Sequence, residues 1–127
     1  MQSKKPIYKK EYEPVDNVDE SIWMGNDTPI TETDYTYVFN DRYPCVKGHK
    51  LFIPKQNNPE YVGKSYGLAK IKAGEMAGFN VGMNLGECAG QTVMWPHIHF
   101  IPRHENDSDE IGGMRHAHPG ADHKKYY

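Results

Sequence analysis

The stretch that most constrains this chain runs Gly86-Glu87-Cys88-Ala89-Gly90-Gln91-Thr92-Val93-Met94-Trp95-Pro96-His97-Ile98-His99-Phe100-Ile101-Pro102-Arg103. Read as a strand from Val93 to Ile101, its side chains alternate between two faces. Met94, Pro96, Ile98 and Phe100 make an apolar face suited to a core. Val93, Trp95, His97, His99 and Ile101 share the other face, so two imidazoles two residues apart point the same way from a rigid element. Imidazole titrates near neutrality and can act as nucleophile, acid, base or metal ligand. Just upstream, Gly86 and Gly90 bracket a turn of small residues followed by Gln91 and Thr92. Such a loop can bring backbone N–H groups close to an anion. An anion cradle running into a histidine strand points to phosphate chemistry with a histidine nucleophile. Pro96 is unusual in a strand interior, because it removes a ladder donor and is tolerated only where that N–H would face outward or an edge.

The rest of the chain supplies a small scaffold. At 127 residues it makes one domain. A net charge of -2 does not suit a bulk-charge nucleic-acid binder, so no nucleic-acid partner is expected. Cys45 and Cys88 form no C-x-x-C pair, which removes a cysteine zinc site. Free thiols suit a reducing cytoplasm. No apolar run approaches the ~18 residues of a membrane span, and no signal peptide is visible. Residues 1–20 read as a polar extension containing Lys4, Lys5, Lys9 and Lys10, residues 21–119 as the domain, and residues 120–127 as a tail. Ser21 to Gly25 reads as a short strand or an anchor on the core. Tyr35–Phe39 is rich in β-formers, Asn40–Pro44 breaks it, and Cys45–Gly48 leads into a second strand, His49–Pro54, so the two pair as a hairpin. Asn58 and Pro59 look like a helix cap and first position. Val62, Tyr66, Ala69, Ala73 and Met76 then recur at helical spacing as a core stripe. Gly63, Gly67 and Gly74 weaken that helix by roughly 1 kcal/mol each relative to alanine. Phe79–Asn84 alternates as a further strand, with Phe79, Val81 and Met83 on one face. The expected fold is α+β, an antiparallel sheet of about five strands with one main helix.

From the residues alone, Asp41 at a strand end reads equally as a carboxylate for two ribose hydroxyls or as a turn cap. His49 alone reads as structural and Asn84 as a turn residue. His104, Glu105, Asp107, Asp109, Glu110, His116, His118 and His123 read as a solvated tail, since their spacing matches no standard metal site. His97-x-His99 could chelate a metal, but the further ligand at defined spacing that such barrels use is not evident.

Several blocks in order carry a family resemblance. Gly90-Gln91-Thr92-Val93-x-x-x-His97-x-His99-x-Ile101-Pro102-Arg103 resembles the signature of the histidine triad (HIT) nucleotide hydrolases and transferases. Gly78-Phe79-Asn80-Val81-Gly82-Met83-Asn84, Asn40-Asp41-Arg42-Tyr43-Pro44, Gly48-His49-Lys50-Leu51-Phe52-Ile53-Pro54-Lys55 and Gly112-Gly113-Met114-Arg115 extend it over roughly residues 34–119. The likeness is to bacterial members and to diadenosine polyphosphate hydrolase-like proteins. It implies a HIT-like domain that pairs into a homodimer and acts at the α-phosphate of a nucleotide conjugate. His97, the middle triad position, would be the nucleophile. His99, His49 and the N–H groups near Gly90 to Thr92 would stabilise charge on the non-bridging oxygens. Thr92 or Gln91 would meet the bridging oxygen or leaving group. Asp41 would hold the ribose, Asn84 the phosphate or ribose, and Arg115 would reach toward phosphate or a partner subunit. No metal would be held by protein ligands, and Mg2+ would arrive only with a polyphosphate substrate. The chain departs from the pattern at Trp95, where the family has its first histidine. Tryptophan has one donor and cannot titrate, so the resemblance also admits a nucleotide-binding protein with weakened or lost catalysis.

Overall fold

Strand alternation divides this protein into two apolar layers, one on each side of a single sheet. The computed structural model describes residues 15–107 and 113–121. Lys4, Lys5, Lys9, Lys10, Asp109, Glu110, Gly112, His123 and residues 124–127 of the expected tail lie outside that range. The elements are α1 (Ile22–Asn26), β1 (Thr31–Glu32), β2 (Thr36–Asn40), β3 (Lys50–Pro54), α2 (Pro59–Ala73), β4 (Gly78–Gly82) and β5 (Ile98–Arg103). Short 3₁₀ turns occupy Val18–Glu20, Glu87–Ala89 and Met114–Ala117. The five strands are antiparallel in the order β1-β2-β3-β5-β4. This is the expected α+β architecture, with a strand at Thr31–Glu32. Of the two readings of Ser21–Gly25, strand or anchor on the core, the anchor holds: a short helix seats Trp23 in the core at 2% exposure.

On one face Val38, Phe52, Ile98 and Phe100 pack against Ala69 and Ala73 of α2. On the other, Phe39, Leu51 and Ile53 pack with Val18, Trp23 and Trp95. Val18 falls within the stretch expected to be a polar extension, and it is buried. The hairpin of β2 and β3 forms in full register from Thr36↔Pro54 to Asn40↔Lys50. Gly48 enters β3 with φ +91, and a Cβ there would sit 3.2 Å from Pro102 Cγ, so the turn can pass this close to β5 only with glycine.

Helix α2 starts where the local signals place it. The Asn58 side chain accepts a hydrogen bond from the Tyr61 N–H at 2.9 Å, and Pro59 takes the first position. Its buried face differs from the expected stripe. Ser65, Ala69 and Ala73 are buried, while Tyr66 and Met76 are exposed. Small side chains let the helix lie close on the sheet, and the Ser65 hydroxyl meets Thr36 Oγ1 at 2.7 Å. The large residue at 66 falls about 100° further round the helix and points away.

Strand β5 also departs from expectation, starting at Ile98 instead of Val93. It is an interior strand of the sheet; Pro102 is accommodated where the pairing with β3 has ended, but a proline at 96 would face β3 without the N–H that the ladder needs there. Pro96 therefore falls before the strand, and residues 94–97 take an irregular path that carries Trp95 and His97. No helix among the described residues is long and apolar enough to cross a membrane.

Candidate active site

The sheet face that carries Trp95 also carries the chemistry. His97 lies on the irregular segment leading into β5, and His99 on β5 itself opposite Leu51 and Gly82. Asp41 follows β2, and His49 immediately precedes β3. The structure brings these four side chains together. His49 Nε2 is 2.9 Å from His99 Nδ1 and 3.1 Å from Asp41 Oδ2. His99 Nδ1 is 3.8 Å from that same carboxylate oxygen. The His97 and His99 rings meet edge-on with centroids 5.3 Å apart. Trp23 also lies against His97, at 4.8 Å between centroids.

Hydrogen bonding assigns the protons. The Cys45 backbone N–H donates to His49 Nδ1 at 3.2 Å, so that nitrogen is an acceptor. His49 Nε2 then carries the hydrogen and donates toward Asp41 Oδ2 and His99 Nδ1. His99 Nδ1 accepts, so its hydrogen sits on Nε2. His97 Nδ1 donates to the Trp95 carbonyl at 2.8 Å, which leaves the His97 Nε2 lone pair available. Burial pushes all three histidines below their ordinary value. For His49 it outweighs the attraction of Asp41, and for His97 it outweighs the Trp95 carbonyl and Asp41. His99 is lowered to about 4, by burial and then by the neighbouring His97 and His49. The site at neutral pH is thus three uncharged imidazoles beside one carboxylate.

Asp41 divides its oxygens: Oδ1 accepts the Tyr43 N–H at 2.8 Å as a turn cap, while Oδ2 faces the histidines. Gln91 is buried, and both ends of its amide serve the loop. Its oxygen accepts the Gly86 N–H and its nitrogen donates to the Val93 carbonyl, each at 2.9 Å. The N–H groups of Ala89, Gly90 and Gln91 donate back to Gly86 and Glu87 carbonyls within the same turn. Thr92 is half-buried, and Asn84 is exposed past the end of β4. Arg115 is exposed on the Met114–Ala117 turn, whose Met114 lies against Gly82, the β4 partner of His99. Trp95 is 3% exposed and turns into the core, where its indole N–H donates to the Pro54 carbonyl at 2.9 Å. Among the described residues no ring contact joins it to His49, His97 or His99.

Two contributors escape a reading of the sequence. Trp23 is brought to His97 by tertiary packing from far along the chain, with no local signal. Cys45 is four residues before His49, with its Sγ 3.5 Å from His49 Nδ1, and only the turn geometry makes the contact. Asp41, His49 and His99 each offer one ligand atom, all within 4.8 Å of one another. Two imidazole nitrogens and a carboxylate oxygen form a donor set that fits a borderline divalent cation such as zinc.

No family model matches the chain. Adenosine 5'-monophosphoramidase HNT1 of Saccharomyces cerevisiae is 34% identical over 93 residues, which cover 66% of this chain and 59% of that protein. The chain thus spans about three fifths of the length of this relative. An uncharacterized HIT-like protein, MJ0866 of Methanocaldococcus jannaschii, is 31% identical over 94 residues, covering 65% of this chain and 73% of that one. Among solved structures, a Zn-bound histidine triad family protein from Mycobacterium smegmatis superimposes with a TM-score of 0.60 at 29% identity, covering 68% of this chain and 73% of that chain. With its sheet, its histidine cluster and these relatives in agreement, the chain belongs to the histidine triad (HIT) family.

Proposed function

We propose that this protein is a nucleotide hydrolase or transferase acting at the α-phosphate of a nucleotide conjugate through a nucleotidyl-histidine intermediate. The observation that carries this reading is the hydrogen bond from His97 Nδ1 to the Trp95 carbonyl at 2.8 Å. It holds a buried, neutral ring in the tautomer that leaves Nε2 as a nucleophile. The Nε2 lone pair attacks phosphorus, the bond from phosphorus to the leaving oxygen or nitrogen breaks, and the leaving group takes that electron pair. The leaving group takes its proton from water, because the uncharged His99 would become an imidazolate on giving up its Nε2–H; that N–H donates a hydrogen bond to a non-bridging oxygen instead. The His97 ring becomes cationic in the intermediate, and the Trp95 carbonyl and Asp41 stabilise that charge. Water then attacks phosphorus and gives up a proton to solvent, the phosphorus–nitrogen bond breaks with its electron pair returning to His97 Nε2, and nucleoside monophosphate leaves with His97 neutral again. His49 holds His99 in its tautomer. Asp41, Asn84, Gly90, Gln91, Thr92 and Arg115 contribute to nucleotide binding, Gln91 and Gly90 through the shape of the loop they brace. The naming of the yeast relative as an adenosine monophosphoramidase supports a phosphoramidate, and dinucleoside polyphosphates and nucleotide esters share the same scissile centre. A polyphosphate would bring its own Mg2+. The protein acts as a homodimer in the cytoplasm.

The test is turnover of adenosine phosphoramidate and a panel of dinucleoside polyphosphates by wild type and His97→Ala. Monophosphate release by wild type, reduced by about 10^4-fold or more in the variant, is expected. Binding of nucleotide without turnover would instead make this a nucleotide-binding member whose chemistry was lost. A second reading rests on the Asp41, His49 and His99 donors, which would hold a divalent cation. Full activity after exhaustive chelation, with no metal recovered from the purified protein, would set that reading aside.

A further inference from the structure

Two opposed prolines leave a gap between β3 and β5. Their register pairs Lys50 with Phe100, Leu51 with His99 and Phe52 with Ile98, and continued by two residues it sets Pro54 against Pro96. Odd-numbered positions of β3 turn their backbone groups to β2. The Asp41 N–H donates to the His49 carbonyl at 3.0 Å, and the Lys55 N–H to the Tyr35 carbonyl at 2.8 Å. By alternation the Pro54 carbonyl faces β5, and the donor due to meet it is the N–H of residue 96. Proline has none. The Trp95 indole N–H stands in at 2.9 Å. A buried carbonyl left without a donor costs as much as a lost hydrogen bond, so the substitution of side chain for backbone closes the sheet at this point. It also ties residue 95 down at its ring, among Trp23, Phe39 and Ile53. The carbonyl of the same residue accepts from His97 Nδ1.

We infer that Trp95 is a positioning residue for His97: its indole N–H replaces the missing rung at Pro54 and thereby fixes the carbonyl that sets the His97 tautomer. This rests on the proposed role of His97 as nucleophile, and it assigns the departure from the triad pattern a part in the chemistry without contact to substrate. The indole does not need to titrate for this role, which requires only a donor held at a fixed distance from the backbone of its own residue.

The test uses the full chain. Trp95→Phe keeps most of the volume and removes the donor. Adding Pro96→Ala returns a backbone N–H to face Pro54. Nitrogen-15 spectra of the imidazoles read the His97 tautomer without any substrate. Wild type is expected to hold the hydrogen on Nδ1, Trp95→Phe to populate both tautomers, and Trp95→Phe/Pro96→Ala to regain the wild-type spectrum. With substrate, Trp95→Phe loses about tenfold or more in kcat with KM little changed, and the double variant recovers. A wild-type spectrum in Trp95→Phe, or Nε2-protonated His97 in wild type, would overturn the assignment. Should Trp95→Phe unfold, 3-benzothienylalanine at position 95 keeps the indole shape without the N–H and faces the same two outcomes. If wild type turns over no nucleotide, the proposed function fails while the tautomer readout still decides this one.

Discussion

At His97 two effects oppose each other in the same ring, and burial wins. The Trp95 carbonyl and Asp41 favour the charged form, yet removal from water holds the ring below its ordinary 6.5. His49 and His99 are lowered for the same first reason, and His99, which the neighbouring His97 and His49 push down further, reaches about 4. The sign for stability follows from the direction of shift. An unfolded chain takes up these protons near pH 6.5, while the folded chain resists until lower pH. Between the two the unfolded state binds more protons, so stability falls as pH drops below about 6.5 and levels off once the folded rings are protonated. Turnover should likewise be flat near pH 7 and decline on the acid side as the cluster charges. An imidazole titration followed by NMR should give His99 a midpoint near 4, and a midpoint at or above its ordinary 6.5 would sink this account. The cluster was half legible beforehand. His97 and His99 are adjacent enough for the sequence to place them together, and the likeness of the His49 and Asp41 blocks to known patterns added those two. The partition of Asp41 between a turn and His49, and the approach of Trp23, are products of packing that no local motif encodes.

At the scale of elements, local signals located ends better than faces. Asn58 and Pro59 mark the start of α2 because capping is a matter of neighbouring residues. Asn58→Ala should cost about 1 kcal/mol in urea denaturation, with the loss of the bond to the Tyr61 N–H, and no loss of stability would refute a capping role. The buried face of α2 was harder to foresee, because a search for a stripe favours large apolar residues. This helix instead buries Ser65, Ala69 and Ala73 and turns Tyr66 outward. The start of β5 was only half visible, since Pro96 flags a missing ladder donor but not which strand it would have faced. It depends on which β3 residue position 96 would meet if the register that ends at Phe52↔Ile98 ran on, a relation between strands that exists only once the register is set. The loop at Gly86–Gly90 shows the same limit. Its glycines forecast a turn, but the turn folds its Ala89, Gly90 and Gln91 donors back on itself.

For the whole molecule, the sheet order leaves β4 at one end among the described residues. In the β4–β5 register Gly82 faces His99 and Asn80 faces Ile101. Even-numbered β5 positions turn toward β3, so His99 and Ile101 turn toward β4, and by alternation Gly78, Asn80 and Gly82 point their backbone groups at β5. Phe79 and Val81 therefore direct theirs outward, along an edge able to pair with another strand. Leu85, which follows β4 in the chain, and Met114, which lies against Gly82, are both exposed. A second copy of β4 laid antiparallel on the first would extend the sheet across a two-fold axis, which is the geometry proposed here for the homodimer. Val81→Pro removes one outward N–H and leaves the β4–β5 ladder its donors, since proline is tolerated at a strand edge. Sedimentation should show the wild type as a dimer at micromolar concentration and Val81→Pro shifted to monomer, with the same circular dichroism. A wild type that sediments only as monomer, or a variant that remains dimeric, would place the association elsewhere or remove it. The position of Met114 beside Gly82 adds a consequence, because it seats the turn that carries the next residue, Arg115, against the β4 residue that pairs with His99. Loss of the dimer in Val81→Pro should therefore raise KM for nucleotide more than it lowers kcat, and an unchanged KM would separate the interface from the site.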